Sequence, residues 1–102
     1  MNRLPVEITA PAARQIREAE VWWRRNRTAA PEAIRKQLRW AFALIAQQPF
    51  AGTLARDVRL PAVRRISLAT IKYHVYYRVL TEPDRVQVLA CWHARRGNAP
   101  PL

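Results

Sequence analysis

From Ile71 to Arg96 the chain reads IKYHVYYRVL, a short polar interval, then RVQVLACWHARR. Ile71, Tyr73, Val75, Tyr77 and Val79 alternate with Lys72, His74, Tyr76 and Arg78. A period of two sends successive side chains to opposite faces of a β-strand. One face of this strand is therefore apolar and the other polar and cationic. Thr81 to Asp84, containing Pro83, supplies a turn. On the following strand Val86, Val88, Ala90 and Trp92 continue the apolar face, and Gln87, Leu89, Cys91 and His93 join the open one. A pair of strands with one apolar face needs a cover, and the rest of the chain must provide it.

Two helical patterns meet that need. Thr9 is suited to cap the first, and Pro11 is tolerated in its opening turn. Ala12, Ile16, Ala19 and Trp23 share one face of a helix running to about Arg27, with Trp22 at its border. Asn26 to Ala30 is a short break. Pro31 opens a second helix that runs to about Gln48 and is stopped by Pro49. Ile34, Leu38, Ala41 and Ile45 form its stripe, widened by Trp40 and Leu44. So short a connection predicts an antiparallel helical hairpin. Before the helices, Leu4, Val6 and Ile8 alternate with Pro5, Glu7 and Thr9 as a short strand. After them, Pro49 to Pro61 reads as a connection, and Val63 to Leu68 as another strand.

The expected order is β-α-α-β-β-β. It gives a two-layer α+β domain, with the helical hairpin on one face of a largely antiparallel four-stranded sheet. Residues 1–97 form one domain and 98–102 a flexible tail. At 102 residues such a chain buries roughly 60–70% of its unfolded surface, enough for a modest core.

The net charge is +11, and both halves of the chain contribute to it. A basic charge spread over a fold, not confined to a tail, points to an anionic partner, either nucleic acid or an acidic protein. No apolar run reaches the ~18 residues of a membrane span, and no signal pattern opens the chain, so a cytoplasmic protein is expected. Cys91 is a lone cysteine, and no Cys/His spacing suits a metal. Two glycines cannot form a nucleotide-binding loop. No cofactor is expected.

Two kinds of chemistry fit the open face. One is metal-independent RNA cleavage, which needs an acid, a base and cations around the phosphate. His74 or His93 would move protons, and Arg65, Lys72, Arg78 and Arg96 would hold the phosphate. The other is binding alone, because any cationic sheet face carries such residues. Cys91 near His93 has no group placed to orient the imidazole, so it reads as a packing residue.

The chain resembles the RelE/ParE superfamily of toxins from type II toxin–antitoxin systems, and within it the ParE branch. The landmarks are VEIT at 6–9, Trp22–Trp23 with Asn26, Pro49 with Gly52, VRRI at 63–66, YHVYYRV at 73–79 and HARR at 93–96. The resemblance implies the β-α-α-β-β-β fold and a cognate antitoxin with a DNA-binding region and a wrapping C-terminal segment. It also implies one of two targets. ParE-like members block DNA gyrase; RelE-like members cleave mRNA on the ribosome. The family pattern falls on Arg65, Tyr73, Tyr77, His93 and Arg96. RelE-type nucleases carry lysines before the second strand and a tyrosine in the tail. Here residues 50–62 hold Arg56 and Arg59 but no lysine, and no tyrosine follows His93. Both departures favour a binding toxin over a nuclease. The surface then expected to meet target or antitoxin is Arg65, Lys72, His74, Tyr76, Arg78, His93, Arg95 and Arg96. No catalytic residue is favoured; for a nuclease the set would be Arg65, His74, His93 and Arg96. A third possibility is an inactive paralogue that only binds antitoxin.

Overall fold

In a computed structural model, residues 3–102 are described. Strand β1 (Val6–Ile8) leads into helix α1 (Ala10–Asn26) and helix α2 (Ala33–Gln47). Strands β2 (Thr53–Leu54), β3 (Arg64–Leu68), β4 (Tyr73–Leu80) and β5 (Arg85–His93) follow. They form one sheet in the order β1-β5-β4-β3-β2, parallel only where β1 meets β5.

The sheet thus has five strands, not the expected four, and the element order gains a strand after α2. The extra one, β2, is two residues long, too short to show any period. It exists because tertiary contacts hold it against β3, where Thr53 pairs with Arg65 and Leu54 with Arg64. The Tyr77 hydroxyl donates to Pro49 O at 2.7 Å and accepts from Gly52 N at 2.9 Å. Arg64 Nη1 donates to Gly52 O at 2.7 Å. One buried tyrosine therefore fastens the segment after α2 to the sheet.

Both helices lie on one face. The Thr9 hydroxyl accepts from Ala12 N at 3.3 Å, capping α1. Ala12, Ala19 and Trp23 of α1, and Ile34, Leu38, Ala41 and Ile45 of α2, pack over Tyr73, Val75, Tyr77, Val86, Val88 and Cys91. Trp40 does not join this stripe; it is 56% exposed. It stands two residues from Leu38, about 200° round the helix, where a side chain faces away from the sheet.

The opposite face is not open throughout. Val63, Tyr76, Leu89, Ala90 and Trp92 form a second buried cluster, with Val58, Leu60 and Leu102 against it. The Trp92 indole donates to Asn98 O at 2.7 Å, and Arg59 N and Leu60 N donate to Leu102 O at 3.1 and 3.3 Å. Residues 98–102 thus run back across this face.

The second cluster corrects the expected faces of β5. Tyr77 pairs with Val88, but Tyr76 pairs with Ala90, so the register shifts by one residue at Leu89. An extra residue in one strand is a β-bulge, and it inverts the alternation beyond it. Cys91 then faces the helices and Trp92 faces away, the reverse of the simple period. Lys72 is corrected too. With φ of 63° it sits in the turn between β3 and β4, not in the strand, and Ile71 precedes it there.

Candidate functional site

Beyond the bulge, the non-helical face holds a cleft of about 320 Å³, bordered by Asp57, Arg65, His74, Tyr76, Trp92, His93 and Arg96. The sheet register assembles it. Arg65 lies opposite Tyr76 and Ser67 opposite His74 across β3–β4, and His74 lies opposite Trp92 across β4–β5. Directly opposed residues have Cβ atoms ~5 Å apart, so these side chains must meet.

Their contacts form a connected set. The Tyr76 hydroxyl donates to Asp57 Oδ2 at 3.0 Å, and Arg65 Nη1 lies 3.7 Å from the same oxygen. Ser67 Oγ and His74 Nδ1 are 2.9 Å apart. Arg65 Nε is buried without a hydrogen-bond partner. The Arg96 guanidinium lies 3.9 Å above the Trp92 ring, stacked on the indole. The cleft thus offers two guanidinium groups, two imidazoles and a hydroxyl, with one carboxylate against them.

Burial lowers the His74 pKa, and the Arg65 charge adds to the effect; Asp57 opposes it, and His93 lowers it further. A base whose folded pKa is depressed takes its proton more readily in the unfolded chain. This contribution to stability is therefore present above the ordinary value of 6.5 and is lost as pH falls through the folded value. Chemical denaturation of the wild type should show stability falling on acidification below about pH 6.5, and His74→Gln should flatten that fall. An identical pH profile for the variant would remove His74 as its source.

The expected binding residues divide into three places. Arg65, His74 and Arg96 surround the cleft, and Tyr76 forms its buried floor. Arg78 lies further along β4, where its Nε donates to Gln87 Oε1 at 2.8 Å. Lys72, His93 and Arg95 gather at the end of the sheet, around a hollow that Trp22 and Arg27 also line. The imidazole of His93 packs edge-on against Tyr73, with centroids 5.0 Å apart, and beside Trp22 at 6.5 Å. His93 thus touches the helical side and also borders the cleft that His74 faces. Cys91 is buried and its thiol pKa is pushed up to about 12, which keeps it neutral and unreactive near pH 7.

Asp57 and Ser67 were not singled out from the sequence. Ser67 was accessible in principle, as it shares the polar alternation with Arg65 and its register brings it to His74. Asp57 gave no signal, because it sits in a connection whose path depends on the Tyr77 anchor. Among the described residues no group of three or more His, Cys, Asp or Glu gathers as metal ligands. No helix among them is long and apolar enough to cross a membrane.

A two-helix cover on a mostly antiparallel sheet, with a cationic cleft and a cationic turn after the last strand, defines a small basic α+β domain with guanidinium and aromatic groups on its surface. The chain belongs to the ParE toxin family of type II toxin–antitoxin systems, parDE, whose family model matches residues 6–97. It is thereby a member of the RelE/ParE superfamily, the toxin side of systems in which an antitoxin neutralises the toxin. Solved structures share the fold. A chain of the chromosomal ParDE toxin–antitoxin system from P. aeruginosa superposes with a TM-score of 0.71 at 17% identity, covering 91% of this chain and 98% of that one. The toxin–antitoxin complex RelBE2 from Mycobacterium tuberculosis gives 0.65 at 20% identity, covering 89% and 98%. A free-state mutant of the E. coli toxin RelE gives 0.56 at 22% identity, covering 93% and 86%. No curated protein matches the chain significantly.

Proposed function

We propose that this toxin arrests growth by binding a protein target, DNA gyrase, through the cationic cleft and the turn that follows β5. The cognate antitoxin neutralises it by covering overlapping surface. Acidic antitoxin side chains meet Arg65, Arg95 and Arg96, and apolar ones enter grooves beside the helices.

The engagement of the candidate proton-transfer groups by their neighbours carries this reading. An acid–base pair for phosphodiester cleavage must flank a single reacting phosphate. Both histidines border the cleft, but His74 Nδ1 lies 2.9 Å from Ser67 Oγ, and His93 Nδ1 accepts from Arg95 N while its ring packs edge-on against Tyr73. Tyr76 is buried with its hydroxyl committed to Asp57, so it is not poised as a proton donor. The remaining exposed chemistry is charge and shape, which suits recognition.

Purified toxin is expected to inhibit gyrase supercoiling at saturating concentration and to leave mRNA uncut during induction. Normal supercoiling at saturation would sink the gyrase assignment. Codon-positioned 5′ ends in mRNA would replace it with ribosome-dependent cleavage.

A further inference from the structure

Three separate segments converge at the end of the sheet, next to the cleft, with His93 bordering both. The close of α1 brings Trp22 and Arg27. The turn between β3 and β4 brings Lys72. The turn after β5 brings His93 and Arg95. They enclose a hollow of about 260 Å³. The arrangement is pinned by hydrogen bonds. Ala94 N donates to Lys72 O at 2.8 Å, joining the two turns. Arg95 N donates to His93 Nδ1 at 3.1 Å. The Trp23 indole donates to Ala30 O at 2.8 Å, fixing the chain that carries Arg27.

Trp22 is 42% exposed, although it is large and apolar. It borders two further hollows, so it stands out as a ridge. The Arg27 guanidinium lies 5.4 Å from its centroid. Among the described residues, Arg27, Lys72 and Arg95 form no ion pair; those present involve Arg35, Arg65 and Arg85. No carboxylate lines the hollow. An exposed indole with three unpaired cations around it is the combination that single-stranded nucleic acid uses: bases stack on the ring and phosphates meet the charges.

We propose that this hollow binds a single-stranded nucleic acid segment, with one base stacked on Trp22 and the flanking phosphates held by Arg27, Lys72 and Arg95. An extended acidic peptide fits less well. It would gain affinity by adding to a strand edge, but β4 is paired on both sides, and beyond the β1 pairing, which ends at Val88, the Cys91 N–H of β5 is already taken by Gln15 Oε1 of α1. The hollow shares the turn after β5, with Arg95, with the gyrase-binding surface proposed above, while Trp22, Arg27 and Lys72 extend beyond it.

The test is fluorescence anisotropy of a labelled oligothymidylate titrated with the full-length toxin, alongside quenching of tryptophan emission. Three phosphate contacts predict a slope of log affinity on log salt of about −2. Trp22→Ala should weaken binding roughly 5- to 150-fold. Trp22→Phe should keep most of the affinity and lose part of the quenching. Arg95→Ala should reduce the slope by about 0.7, whereas Arg39→Ala on the outer side of α2 should change neither. Trp22 is exposed, so its variants should fold, which circular dichroism checks. Absence of binding overturns the proposal. So does equal binding by Trp22→Ala and wild type, which would trace affinity to overall charge. Tighter, Trp22-dependent binding of an oligoglutamate of equal charge would assign the hollow to an acidic peptide instead.

Discussion

Gly52→Ala is expected to destabilise the protein by roughly 1–3 kcal/mol, although it adds a single methyl group. A Cβ at this position would lie 2.8 Å from Tyr77 Oη, 2.9 Å from Tyr77 Cε1 and 3.0 Å from Arg65 O. Neither neighbour can yield easily. Tyr77 is fully buried, and its hydroxyl is held by both Pro49 O and Gly52 N. Arg65 O belongs to the backbone of β3. Tyr77→Phe should cost about 1–3 kcal/mol on its own, because it leaves a buried N–H and a carbonyl without partners. Together the two changes should cost less than their sum. The phenylalanine removes the hydroxyl that the new methyl strikes, and the hydrogen bond lost in one variant is not lost twice. The coupling should be about 0.5–3 kcal/mol, the range for residues in direct contact. Denaturant unfolding of wild type, both single variants and the double variant measures it. Strict additivity would mean that the loop after α2 is not fastened to the sheet through this tyrosine. In a domain stabilised by ~5–15 kcal/mol in total, either single change is a large fraction.

That lock also explains what the sequence could and could not reveal. The β4 strand is legible because its four alternating residues, Tyr73, Val75, Tyr77 and Val79, all face the helices or their rim; the period runs on to Ile71 and so hides the turn at Lys72. Strand β5 was legible as a strand but not in its faces. Leu89 and Ala90 are both apolar, so no change in hydropathy marks the residue where the register slips, and Cys91 and Trp92 exchange faces as a result. Strand β2 carries two residues of no distinctive pattern, and it forms only because Tyr77 and Arg64 reach back to Pro49 and Gly52. The same dependence hid Asp57 from the cleft. Trp40 was misplaced for the opposite reason: its hydrophobicity suggested burial, while its angular position on α2 required exposure. Basic side chains were easy to find, but their grouping into a cleft and a separate hollow followed from the bulge and from the turn at Lys72.

Arg65→Ala should separate function from stability more clearly than any other change. In the free protein Arg65 is poorly repaid for its burial. Its Nε is buried without a partner, and its contact with Asp57 is a half-exposed pair at 3.7 Å. Such a pair contributes little, ~0–1 kcal/mol, and a buried unsatisfied donor is a cost. Removing the side chain should therefore change unfolding stability by no more than about 1 kcal/mol. The same guanidinium is preformed, cationic and held at the wall of the cleft, the position of an arginine anchor in an interface. Its loss should weaken target binding by ~2–4 kcal/mol, roughly 30- to 1,000-fold. Growth arrest on induction should then disappear while the purified variant unfolds at nearly the wild-type denaturant concentration. Arg78→Ala, two residues along β4 from Tyr76, outside the cleft and hydrogen-bonded to Gln87, should retain arrest and serves as the matched control. If Arg65→Ala still arrests growth, the cleft is not the surface through which this toxin acts. If it unfolds several kcal/mol early, Arg65 is a structural residue, and its unpaired Nε reflects the local geometry of β3 and not a place kept for a partner.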